Sequence, residues 1–148
     1  LFESVLVIIM DKEEVTLLVH DTILNFPKNI NKPLVMFLNK SRFSRYLDLM
    51  AMKKHLNKTP CFVAQMKGGD VIYFCREIVN ELTDGFSREK KKVFIEAVTL
   101  HELFHVWNRL DVRTRKGAEA SEDVVYAELK TLYPKHYKIL RQFAQKAA

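Results

Sequence analysis

Two histidines and a glutamate fall within one short stretch, His101-Glu102-Leu103-Phe104-His105. Residues four apart on an α-helix lie one turn above each other, so both imidazoles leave the same face and can share one zinc ion about 2.0–2.1 Å away. Glu102 is rotated by about 100° from His101 and does not join them easily, but its carboxylate reaches the space beside them. A water held there by zinc has its pKa lowered to about 7, and an adjacent carboxylate can take its proton during attack on a carbonyl. The spacing therefore predicts His101 and His105 as metal ligands and Glu102 as general base.

This chemistry requires a helix, and the sequence supplies one. Thr83-Asp84-Gly85 breaks the chain, Ser87 is placed to cap a helix from Arg88 to about Leu110, and Glu89 lies in its first turn, where the helix dipole favours negative charge. Gly117 marks the next turn, after which 118–132 reads as a helix ending before Pro134, and 135–148 as a last helix. Upstream, apolar residues at helical spacing over 12–26 predict an amphipathic helix ending at Pro27. The apolar run 34–38 predicts a buried strand, and 41–56 returns to helical spacing. Two β-favouring runs, 60–65 and 71–75, meet at Gly68-Gly69 and predict a hairpin. Phe94, Val98 and Trp107 are expected in the core, and His20 and His55 at the surface or in packing.

The motif resembles that of the zincin metallopeptidases, and more closely the gluzincins, with a length similar to the minigluzincins. The resemblance implies an α+β fold in which a small sheet packs on the HExxH helix, followed by a helix bearing a glutamate ligand. In that group the glutamate often opens an ExxxD pattern, and Glu119-Ala120-Ser121-Glu122-Asp123 fits it, with Glu119 as third ligand and Asp123 orienting a histidine. The connection from His105 to Glu119 is short, and Glu122, one turn further on, is the alternative. Asp111 ranks third: it lies where metzincins place a ligand, but Asn108 replaces their glycine and no Met follows His105. The resemblance also implies a cleft strand that pairs with substrate, for which 71–75 is the candidate or else a core strand. Tyr126, Tyr133, His136 and Tyr137 are the candidate donors to the carbonyl oxygen. The terminal segment 135–148 can be read either as a plain packing helix or as a cover that keeps the cleft latent.

The whole chain bounds these readings. Its 148 residues, 48% of them hydrophobic, suffice for one domain spanning 1–148 with a real core. No stretch approaches the length of a membrane helix, so a soluble cytoplasmic protein is expected; the chain begins at Leu1 rather than Met, which leaves a removed secretory signal open. Neither cysteine, Cys61 nor Cys75, belongs to a CxxC pair, which excludes zinc ribbons and fingers. A cross-strand disulfide and two separate buried thiols both fit their positions around the hairpin. The net charge of +6 leaves a nucleic-acid partner open beside a peptide or protein substrate. The expected function is hydrolysis of peptide bonds with Zn2+. Its rivals are a non-catalytic zinc-binding interaction module and a protease similar to the SprT-like family, acting on DNA-bound proteins.

Overall fold

The computed structural model describes residues 2–49, 58–108 and 115–147, with side chains over 12–49, 58–108 and 122–143. Among these residues the fold is mixed α+β, with six helices and one three-stranded sheet. The helices are α1 (Phe2–Leu24), α2 (Lys40–Leu49), α3 (Arg76–Leu82), α4 (Arg88–Asn108), α5 (Arg115–Leu132) and α6 (Pro134–Ala147). The strands are β1 (Leu34–Phe37), β2 (Cys61–Met66) and β3 (Gly69–Phe74). No described helix is long and apolar enough to cross a membrane.

The hairpin forms where the glycines allow it. Lys67 and Gly68 make the turn, and Gly69, at φ +131°, takes a conformation open to a residue without a Cβ. Sheet order is β1-β3-β2, with β1 parallel and β2 antiparallel to β3. The run 71–75, expected along the cleft, is therefore the central strand, with both edges paired. Its unbroken apolar character reflects burial on two faces, and the free edge facing the helices belongs to β2. The run 34–38 forms a strand as expected but is not buried throughout, because β1 lies at the sheet's other edge and Leu34 and Met36 are exposed.

Side chains alternate across the sheet, as a period of two requires. Cys61, Ile72 and Phe74 enter the main core with α1, α4, α5 and α6; Phe62, Ala64, Tyr73 and Cys75 enter a second core with Phe43 and Leu47 of α2 and Ile78 of α3. Cys61 pairs in register with Phe74, one residue short of Cys75, so the two thiols are buried on opposite faces and stay free.

Helix α4 is enclosed by α1, α5, α6 and β2, and Phe94, Leu103 and Phe104 on it are fully buried. Ser87 caps it as expected, its Oγ accepting from Lys90 N at 3.2 Å. Trp107 departs from expectation: it is exposed, with the Lys28 ammonium 5.5 Å from its ring centre. It follows Val98 by about two and a half turns and so emerges on the opposite side of the helix. Helix α3 has no counterpart in the sequence reading. Its N-cap residue, Cys75, makes no side-chain cap, and Ile78-Val79 is a β-favouring pair, so neither capping nor propensity announces it.

Candidate metal centre

The fourth and fifth helices meet at the His101 face. Both histidine rings are largely buried and lie edge-on with centroids 4.7 Å apart. From α5, Glu122 reaches across to both: its Oε2 lies 3.2 Å from His101 Nε2, and its Oε1 hydrogen-bonds His105 Nε2. One donor atom from each of His101, His105 and Glu122 can be chosen so that all lie within 4.8 Å of one another. Ligands held about 2.0–2.2 Å from one ion in a tetrahedral array stand roughly 3.3–3.6 Å apart. The three side chains thus fit a cation after small rotations, and two imidazoles with one carboxylate form a donor set that zinc takes in catalytic sites.

Glu102 stands beside this group. Its Oε1 lies 3.2 Å from His101 Nδ1, and its Oε2 accepts the backbone N–H of Val63 at 3.0 Å. Because Val63 pairs with Ile72 of β3 yet directs its N–H at Glu102, the odd-numbered residues of β2 turn their backbone groups toward the free edge. This edge strand and Glu102 are thereby fixed to each other. Cys61, two residues earlier, donates its thiol to Val98 O at 3.6 Å, and burial, then the Glu102 charge, pushes its pKa well up.

The ionisable groups of this cluster perturb one another. Burial alone would lower the His101 pKa, but hydrogen bonds and charge from Glu102 and Glu122 outweigh it and raise it to about 10. For Glu122, burial would raise the pKa, and the two histidines outweigh it and hold the carboxyl well below its ordinary range.

The chain matches no protein-family profile, no curated protein and no solved structure.

The structure brings His101, Glu102 and His105 together with Glu122, the alternative third ligand. The Glu119 side chain lies outside the described residues, as do Asp111 and His55. Asp123 is exposed and contacts neither histidine, being rotated about 100° around α5 from Glu122. Of the four candidate carbonyl donors, Tyr126 is the one at the site. It lies one turn beyond Glu122, with its ring centre 5.3 Å from that of His101. Tyr137 packs behind Tyr126 at 6.3 Å, and Tyr133 lies against Phe104 and His136. His136 Nε2 faces Glu96 Oε1 at 3.5 Å. The Val63 N–H was missed by sequence reasoning, because a backbone donor has no signature in residue type.

Proposed function

We propose that the chain is a zinc-dependent metallopeptidase of gluzincin-like design, with His101, His105 and Glu122 as ligands and Glu102 as general base. The observation that carries this reading is the convergence of three donor atoms from two helices, with a buried carboxylate beside them that the group does not need for ligation. A purely structural zinc site closes its coordination with four protein ligands. Glu102, a carboxylate beside the three donors, has no use in such a closed site, which speaks against a non-catalytic module.

Bound zinc would supply an acidified water and a positive charge for the developing oxyanion. The remaining work falls to the chain. The outer edge of β2, apart from the Val63 N–H held by Glu102, would pair with an extended peptide by strand addition. Glu102, held by Val63 N–H, takes the proton of the attacking water and returns it to the leaving amine. The Tyr126 hydroxyl is the side-chain donor closest at hand for the carbonyl oxygen.

The test is the metal content of the purified protein by mass spectrometry, paired with peptide hydrolysis. About one zinc per chain is expected, lost in His105→Ala and in Glu122→Ala and retained in Glu119→Ala. Glu102→Gln is expected to keep the metal and lose about 10²–10⁴-fold in rate. Loss of zinc in Glu119→Ala but not in Glu122→Ala would move the third ligand to Glu119. No zinc uptake by the parent chain would end the enzyme reading.

A further inference from the structure

Strands β1 and β3 run parallel, and a crevice outside the carboxyl ends of parallel strands is where open sheets commonly take their ligands. Here such a crevice exists, about 440 Å³ in volume, and it shares no residue with the metal centre. Lys12 and Val15 of α1 line it, with Phe37, Leu38 and Asn39 at the end of β1 and Arg76, Glu77 and Asn80 after β3.

Its polar groups are mostly donors. The Arg76 guanidinium lies 4.4 Å from the Phe37 ring centre and donates from Nη1 to Thr16 Oγ1 at 2.7 Å, which fixes its plane. It pairs with no carboxylate among the described residues, and burial lowers its pKa. Asn39 has committed its acceptor, Oδ1, to the N–H of Arg42 at 2.8 Å. Asn80 has committed its own to Lys91 Nζ, also at 2.8 Å. Each amide is left with its NH2 group, so donors remain on Arg76, Lys12, Asn39 and Asn80. The single lining carboxylate, Glu77, accepts the backbone N–H of Lys40 at 3.3 Å. Beside these donors the wall is apolar, with partly buried Phe37 in front of Val15 and Leu38, which are almost wholly buried.

A partly desolvated arginine with its plane fixed is suited to a flat or compact oxyanion, which it can grip through two N–H groups. The volume exceeds what a bare ion fills and falls in the range of small-molecule sites. We propose that this crevice binds a small organic anion, its carboxylate or phosphate held by Arg76 and Lys12 and its apolar body resting on Val15, Phe37 and Leu38.

The experiment titrates the full-length chain with phenyl phosphate, phenylacetate and inorganic phosphate. Heat of binding is measured, and shifts of the Arg76 Nε–H and the Val15 and Leu38 methyl signals are followed by NMR. At least one aromatic anion is expected to bind saturably and to move those signals, and which of the two does so separates a phosphate from a carboxylate ligand. Inorganic phosphate should bind at least about tenfold more weakly, lacking the apolar part. Loss of a charge-assisted contact in Arg76→Gln should weaken binding by about tenfold or more, with Arg76→Lys in between. The exposed Lys12→Gln provides a second variant that leaves the core untouched and should also weaken binding. His105→Ala should bind as the parent does, which keeps this result separate from that of the metal centre. The proposal is overturned if neither aromatic anion saturates, if inorganic phosphate binds as tightly as they do, or if Arg76→Gln with native thermal stability and Lys12→Gln both bind like the parent.

Discussion

At the scale of single residues, the proton on His101 and the proposed metal would compete for the same nitrogen. The folded chain raises the His101 pKa from an ordinary value of about 6.5 to about 10. In the metal-free protein this group therefore contributes stability that is fully present below about pH 6.5 and lost as pH rises through about 10. Metal binding needs the neutral imidazole and must release that proton. Zinc affinity, measured by chelator competition, is accordingly expected to rise with pH between pH 7 and 9 by at least about tenfold per unit. Glu122, held well below the ordinary carboxylate range, has no proton to release there, so an affinity that does not change with pH would contradict the assignment. The His101-Glu102-His105 group was legible because four-residue spacing on a capped helix fixes direction by geometry alone. The third ligand was less so: Glu119 and Glu122 lie on the same helix, and only the rotation of α5 against α4 brings Glu122 onto both histidines.

At the scale of elements, the sequence disclosed α4, α6 and the hairpin through caps, turns and breakers, and the end of α5 but not its start, since Gly117, read as a turn, lies inside that helix; nor did it show which hairpin strand lies at the edge. That choice depends on where β1 docks, and β1 joins β3 through a pairing between residues distant in the chain. The outcome places β2 beside α4 and lets Val63 N–H hold Glu102. A proline is tolerated on an edge strand where the N–H faces outward, so Val63→Pro should keep the sheet and the zinc while releasing Glu102. A hydrogen bond to a charged group is worth about 1.5–3 kcal/mol. Peptidase turnover is expected to fall by about tenfold or more, with far-UV circular dichroism and metal content unchanged; unaltered turnover would mean the tether does not position the base. Helix α6 bears on the latency question, since Ile139 and Leu140 are buried in the main core. Replacing both with Ala should cost about 4–10 kcal/mol, comparable with the whole stability of a small domain. In urea titrations, truncation after Leu132 is thus expected to unfold the chain rather than activate it.

At the scale of the molecule, two cores share one thin sheet, and the metal centre lies wholly on one side of it. The basic residues at the start of α4 are largely engaged at its far end. Arg88 pairs with Glu14 at 3.0 Å, Lys90 lies over Phe86, and Lys91 bonds Asn80. The proposed ligands come from α4 and α5, so metal binding should clamp those two helices and leave α2 and β1 unaffected. A ligand that binds only the folded state at about 100 times its Kd adds about 2.7 kcal/mol, which for a chain of 148 residues corresponds to roughly 5–11 °C in Tm. Zinc is expected to raise Tm by that amount in the parent and not in His105→Ala. Hydrogen exchange should slow in α4 and α5 and stay unchanged around Phe43 and Leu47 of α2. An equal rise in His105→Ala would place the ion elsewhere, whereas protection spread evenly over both cores would mean that the sheet transmits the constraint and the two sides unfold as one unit.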